Sequence, residues 1–227
     1  MTTQSRSAPR RFAVIGLGIL GNSIALTLAG EGAEVIVLDK SQKLIDSIKD
    51  QVSVAVQCDT TDRETLVQLG IPSVDAAMVC IGEDFQSAVL TVANLIELNV
   101  KRVAVRATNP MSASIMKRLG AHDVFFVESE MGIEIAHKLI RPTILQEMSL
   151  GGDYRIIELA APQGFHNKTL SELELPKKFG VQVVAVRSPV PGNESPIRVP
   201  MADTRIQSGD LLLLCGHDRD LSRVLLG

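Results

Sequence analysis

Residues 11 to 39 carry a pattern that few folds accommodate. Arg11–Ile15 is a short apolar run, Gly16-x-Gly18-x-x-Gly21 follows at once, and Asn22–Ala29 sets Ile24, Ala25 and Leu28 at helical spacing. A second apolar run, Val35–Leu38, leads to Asp39, 18 residues beyond Gly21. In a strand–turn–helix unit each glycine has its own task. The first permits the tight turn, the second lets backbone approach a pyrophosphate, and the third lets helix and strand pack closely. The helix start offers unpaired N–H groups and a partial positive charge to phosphate. A carboxylate ending the next strand can accept both hydroxyls of an adenosine ribose and disfavours a 2′-phosphate, so NADP is not expected. Three turn glycines and a surface aspartate are the plain alternative, but strand, helix and distal acid together point to a dinucleotide-type site.

The same stretch also has the outline of a membrane-directed segment. From Phe12 to Gly30 there is no charged residue, and Arg10-Arg11 stands before it, as in a signal peptide or membrane span. The three glycines with Asn22, Ser23 and Thr27 favour the nucleotide-turn reading. With 6 Phe, 1 Tyr and no Trp, the chain lacks material for a membrane aromatic belt or a base-stacking platform. Its 23 Lys+Arg against 26 Asp+Glu give a net charge of −3, so no nucleic-acid partner is expected. Cys58, Cys80 and Cys215 form no C-x-x-C pair and read as reduced thiols of a cytoplasmic protein. His122, His137, His166 and His217 lack metal-ligand spacing.

The strand–helix rhythm repeats. Ser41 can cap a helix carrying Leu44, Ile45 and Ile48, and Val52–Val56 reads as the third strand. Thr61-Asp62-Arg63-Glu64 matches a capping box, opening a helix that stops at Gly70. Ala76–Ile81 is the fourth strand, followed by a turn at Gly82-Glu83-Asp84 and a helix from about Gln86 to Leu98. Arg102–Ala107 is the fifth, followed by a helix with Asn109 as cap and Pro110 at its first position. Val124–Val127 is the sixth strand, and Glu130–Leu139 the sixth helix. Six such units predict an α/β fold, a Rossmann-like doubly wound parallel sheet over residues 11–128. Residues 1–10 read as a polar tail. Pro142 breaks the rhythm, and 129–150 read as linker helices.

Residues 151–227 change character. Tyr154–Leu159 alternates, Thr169-Leu170-Ser171-Glu172 is a second capping box, and Val181–Val186 and Leu211–Cys215 are strands. Pro189-Val190-Pro191-Gly192-Asn193 reads as a turn, and Asp218 caps a last helix. This is a small α+β module of about 75 residues, a size that favours pairing with a copy of itself.

Several other residues fall at the same sheet edge. Asp59, after the third strand, either accepts from an adenine amino group or merely belongs to a helix-start loop. Ile81-Gly82 ends the fourth strand, where nucleotide would press on backbone. Arg106 ends the fifth, where its fixed charge suits phosphate or a surface ion pair equally. Glu128 is a helix-start acid. No general acid/base pair, G-x-S-x-G or Walker lysine accompanies them, so the chain is not expected to be an enzyme. The competing classes are an NAD-dependent oxidoreductase and a free-standing nucleotide or redox sensor.

These motifs, taken in order, resemble a family. Gly16-Leu17-Gly18-Ile19-Leu20-Gly21, Asp39, Cys58-Asp59-Thr60-Thr61-Asp62, Cys80-Ile81-Gly82 and Val105-Arg106-Ala107 are similar to the N-terminal domain of regulators of potassium conductance (RCK). So are Lys117-Arg118-Leu119-Gly120-Ala121-His122 and Glu128-Ser129-Glu130-Met131-Gly132. Lys168–Leu173 and Ser208–Leu213 resemble the family's C-terminal domain. The nearest likeness is to the cytosolic KtrA/TrkA-type subunits of bacterial potassium uptake systems. The resemblance implies an RCK_N plus RCK_C architecture that binds ATP, ADP or NAD(H). It implies dimers assembled into an octameric ring that gates a membrane potassium-translocating subunit of KtrB/TrkH type, at the inner face of the cell membrane. The nucleotide-contacting set it implies is Gly16, Gly18, Ile19, Leu20, Gly21, Asp39, Lys40, Asp59, Thr60, Ile81, Gly82 and Arg106. Glu128 would lie near the phosphates, where Mg, Ca or Na binds in some relatives. Ile19 departs from the arginine that many ATP-responsive relatives carry there.

Overall fold

A computed structural model describes residues 10–140, 143–188 and 196–226. The chain divides into two compact units, 1–131 and 132–227. The expected tail, apart from Arg10, the break at Pro142 and the turn at 189–193 lie outside the described residues.

The first unit alternates strand and helix: β1 (Arg11–Ile15), α1 (Ile19–Gly30), β2 (Glu34–Asp39), α2 (Gln42–Ile48), β3 (Val54–Gln57) and α3 (Arg63–Gln68). It continues through β4 (Ala76–Val79), α4 (Phe85–Glu97), β5 (Val103–Arg106), α5 (Pro110–Arg118), β6 (Asp123–Phe125) and α6 (Val127–Ile140), which runs on past the unit boundary. The six strands are parallel in the order β3-β2-β1-β4-β5-β6, with Val14 beside Val37 on one side and Met78 on the other. Side chains alternate across the strands. Val14, Val35 and Val37 pack with Ala25, Ile45 and Ile48 of α1 and α2, whereas Ala13, Ile15, Ile36 and Leu38 pack with Leu66, Val92, Leu95 and Met116 of α3, α4 and α5. Both faces are covered, which is why these strands read as solid apolar runs. The order reverses between β1 and β4, opening a crevice at their carboxyl ends.

Local chemistry sets the helix starts. Asn109 caps the fifth helix with Pro110 in its first turn, as the sequence predicts, and the Ser112 hydroxyl returns a bond to the Asn109 backbone, which the sequence reading does not anticipate. Ser41 occupies the N-cap position of α2 without a side-chain cap bond. The third helix departs from expectation: its cap is Asp62, which accepts from the Glu64 N–H and the Thr65 hydroxyl. Thr61 is instead tied to Asp59 through its N–H and its hydroxyl. β6 ends two residues early, because the Glu130 N–H already bonds the Phe126 carbonyl and draws the chain into α6.

The second unit contains β7 (Ile144–Gly151), β8 (Tyr154–Ala160), α7 (Leu170–Leu173), α8 (Leu175–Phe179), β9 (Gln182–Arg187), β10 (Ile197–Arg198), β11 (Leu211–His217) and α9 (Asp218–Leu226). Its antiparallel sheet has the order β10-β9-β11-β8-β7. The expected helical linker to residue 150 is corrected here: the helix ends at Ile140, and 144–151 form a strand. Gly151 and Gly152 both have positive φ and close a hairpin that pairs β7 with β8, so Gly-Gly is a turn inside the sheet. Thr169 and Glu172 complete the second capping box, and Ile157, Leu159, Val186, Ile206, Leu212 and Leu221 form the core.

Candidate nucleotide-binding site

The crevice at the carboxyl ends of the first unit's strands is a cleft of about 850 Å³. Its floor is the glycine turn. Gly16 has φ +90°, and a Cβ there would press on the Cys80–Ile81 peptide. A Cβ on Gly21 would overlap the Gly16 carbonyl, so this glycine sets the distance between α1 and the turn and does not itself line the cleft. Gly18 faces open space at φ −61° and is the N-cap of the 12-residue α1, which no side chain caps and no first-turn acid neutralises. An uncapped helix start aimed into a cleft is an anion site by backbone geometry.

Asp39 secures that turn. Its Oδ2 accepts the Leu17 N–H at 2.6 Å and its Oδ1 the Ser41 N–H at 2.7 Å. Each oxygen retains a lone pair for a further donor. Lys40 then projects along the rim, with Nζ 3.2 Å from Ser87 Oγ and 3.4 Å from Asp59 Oδ2. Asp59 stands outside the lining. Its carboxyl is held below the usual carboxylate range, first by the Thr61 hydroxyl and next by the Thr61 N–H. Thr60 is buried, its hydroxyl 2.8 Å from that of Thr91, and Asn94 donates to the Thr61 carbonyl, so this loop is pinned to α4.

At the other end Arg106 covers Gly82, where a Cβ would overlap the guanidinium, and is ion-paired with Glu128. The two readings of Arg106 thus meet in one residue: it lines the cleft and it forms an ion pair. Glu128 does not make a metal centre from protein groups alone. It is bound to Arg106, and among the described residues no group of three or more His, Cys, Asp or Glu is placed to hold an ion.

Ten of the twelve expected contact residues line the cleft, the exceptions being Gly21 and Asp59. Sequence reasoning missed Ser23, Leu44, Glu83, Asp84 and Ser87. Asp84 accepts from the Ser87 N–H and hydroxyl, and this D-x-x-S cap was the available signal. Cys58 and Cys80 also line the cleft, where burial pushes their thiols up to about 11 and about 12. The charged lining is Lys40 and Arg106 against Asp39, Glu83, Asp84 and Glu128, an acidic excess. The apparent span at Phe12–Gly30 is β1 and α1, and no helix among the described residues is long and apolar enough to cross a membrane.

A doubly wound unit with an open helix start, a glycine turn and a strand-end aspartate defines a nucleotide-binding class of domain. The TrkA-N domain model matches residues 12–127 and the TrkA-C domain model residues 154–225, and the chain belongs to this TrkA-N/TrkA-C family. It is 33% identical over 214 residues to Ktr system potassium uptake protein C of Bacillus subtilis (strain 168), covering 94% of this chain and 95% of that protein. It is 30% identical over 220 residues to Ktr system potassium uptake protein A of Vibrio alginolyticus, covering 97% and 98%. Among solved structures it shares its fold with the GsuK RCK domain (TM-score 0.62, 15% identity, 96% of this chain and 47% of that one). A GsuK channel bound to NAD aligns with TM-score 0.62 and 15% identity over 97% of this chain and 39% of that one. This chain therefore spans less than half of those two GsuK chains.

Proposed function

We propose that this chain is the nucleotide-binding regulatory subunit of a potassium uptake system, and that it binds without turnover. The observation that carries the reading is the glycine turn locked to Asp39 beneath the open start of α1, in a chain that matches Ktr uptake proteins over nearly all of its length. An adenine nucleotide, ADP, ATP or NAD(H), occupies the cleft. Its ribose hydroxyls donate to Asp39, its first phosphates lie on the N–H groups of Gly18, Ile19 and Leu20, and Ile81-Gly82 borders it from β4. Arg106 serves the outer phosphates in competition with Glu128. Because Glu128 opens α6, which leads into the second unit, that competition links ligand to the rest of the subunit.

The subunit works from the cytoplasm, bound to the inner face of the membrane through a potassium-translocating partner of KtrB/TrkH type. It self-associates to dimers and an octameric ring, with Ile135, Leu139 and Ile140 of α6 exposed and available to a second copy. The name of the B. subtilis relative and the NAD in the GsuK channel support the partner class and the ligand class, respectively.

The test is to purify the protein with its endogenous ligand, identify the ligand by mass spectrometry, and titrate ADP, ATP and NADH into ligand-free protein. Adenine nucleotide bound stoichiometrically, unconsumed, and altering potassium flux through the co-purifying membrane subunit is the expected result. Oxidation or reduction of a small substrate at the expense of bound NAD(H) would replace this reading with a dehydrogenase.

A further inference from the structure

Helix α4 carries a polar row within its inner face. Ser87, Thr91 and Asn94 are spaced four and three residues apart, so they stand one above another on the helix. Ser87 and Thr91 are buried, and the neighbouring Ala88, Val92 and Leu95 belong to the core that anchors the helix. Buried polar side chains find hydrogen-bond partners. All three find theirs in loops far away in sequence. The Ser87 hydroxyl donates to Asp84, which leaves its oxygen to accept from the Lys40 ammonium at 3.2 Å. The Thr91 and Thr60 hydroxyls share a bond of 2.8 Å, and Asn94 Nδ2 donates to the Thr61 carbonyl at 2.9 Å. Ser87 lines the cleft itself, whereas Thr91 and Asn94 stand outside the lining.

The loop held by Thr91 and Asn94 follows β3 and supplies Cys58 and Thr60 to the cleft. Between Gln57 and Arg63 the chain is neither helix nor strand. Asp59 and Thr61 close a turn on themselves, which shapes the loop. The bonds to α4 fix where that turn lies relative to the core. We propose that Thr91 and Asn94 are positioning residues for the nucleotide: they touch no ligand, and they hold the 58–62 loop in its binding geometry before the ligand arrives. This rests on the adenine-nucleotide reading above and adds to it a determinant that lies behind the cleft wall. A loop released from α4 keeps that geometry for only a fraction of the time, and apparent affinity falls by the same fraction. The strength of one internal hydrogen bond sets that loss at about threefold to tenfold.

The test uses the full-length protein freed of nucleotide. ADP is titrated by calorimetry into the original chain and into Thr91→Val, Thr91→Ser and Val92→Ala. Valine keeps the branched shape and removes the hydroxyl, whereas serine keeps the hydroxyl. Val92→Ala weakens the same helix at a core position that holds no loop, so it reports the effect of lost stability alone. Thr91→Val is expected to bind ADP about threefold to tenfold more weakly, and Thr91→Ser to stay within about twofold of the original. Val92→Ala is expected to unfold at lower urea and to bind ADP as the original does. Amide hydrogen exchange at residues 58–62 should quicken in Thr91→Val and return to the original rate under saturating ADP. If Thr91→Val does not fold, Asn94→Leu takes its place with the same expected loss, since Asn94 is only half-buried. Unchanged affinity in the variant lacking the bond, no rescue by serine, or an equal loss in Val92→Ala would leave the row a structural feature only; the inference then fails while the nucleotide reading stands. If no adenine nucleotide binds the original chain, both fail together.

Discussion

Asp39 and Leu17 are joined by a 2.6 Å hydrogen bond from the Leu17 N–H to Asp39 Oδ2, so the carboxylate expected to meet a ribose is already part of the glycine turn. The aspartate holds the phosphate-binding backbone in place before any ligand arrives. It therefore has two roles that one substitution removes together. Asp39→Ala is expected to weaken ADP binding more than tenfold and also to lower the melting temperature, since charged hydrogen bonds contribute about 1.5–3 kcal/mol each. Asp39→Asn keeps one acceptor oxygen and should fall between. Calorimetric titration beside thermal unfolding checks this; unchanged affinity in Asp39→Ala would remove the ribose assignment.

Gly18 and Gly21 separate binding from folding. Gly18→Ala meets nothing within 4 Å at an ordinary φ, so stability should change by less than about 0.5 kcal/mol while the methyl group intrudes on the phosphate path. Gly21→Ala overlaps the Gly16 carbonyl and should destabilise by about 3 kcal/mol or more. Urea unfolding curves of the two variants, set against their nucleotide affinities, test the distinction. Equal stability loss in both would contradict it.

Ile19 is the first residue of α1 and is 95% exposed, so a larger side chain is tolerated there. Isoleucine donates nothing to a terminal phosphate, and the cleft's charged lining is already in acidic excess. The original chain is expected to discriminate weakly between ATP and ADP. Ile19→Arg should improve ATP binding by about tenfold, one charge-assisted contact, with little change for ADP. A hundredfold preference for ATP in the original chain, unaltered by the substitution, would show that another group holds the third phosphate.

Cys58 and Cys80 should be slow to alkylate. Their pKa values are raised to about 11 and about 12, so the reactive thiolate forms only as pH rises toward those values. At pH 8 the Cys58 thiolate fraction is about a hundredfold below that of a thiol at 9.0. Labelling by iodoacetamide, followed peptide by peptide, should therefore climb about tenfold per pH unit between pH 8 and 10. Bound nucleotide should slow it further because both residues line the cleft. Rapid labelling at pH 7 would refute the burial.

Self-association should run through α6. Leu139 is 78% and Ile140 75% exposed, which no monomer requires. Light scattering should show at least a dimer at micromolar concentration, and Leu139→Asp should shift it toward monomer with unchanged far-ultraviolet circular dichroism. A stable monomer in the original chain would exclude the surface as an interface.

Much of the first unit was legible because its signals are local. A glycine at φ +90°, a proline at the first helical position and apolar runs buried on both faces are each specified within a few residues. The cleft's backbone and most of its lining followed from the same register, since every strand of a parallel sheet ends at one edge. What the sequence left open depends on distant partners. Thr61 or Asp62 could each cap the third helix; Asp59, by taking both Thr61 donors, leaves that place to Asp62. The stretch 144–151 has no strong period of its own and becomes a strand because β8 lies beside it. Whether Arg106 is a ligand residue or an ion-pair partner turned on Glu128, 22 positions away and brought near only when α6 folds. Lys40 meets Ser87 across 47 residues, a contact that exists only because the ends of β2 and β4 flank β1 in one sheet.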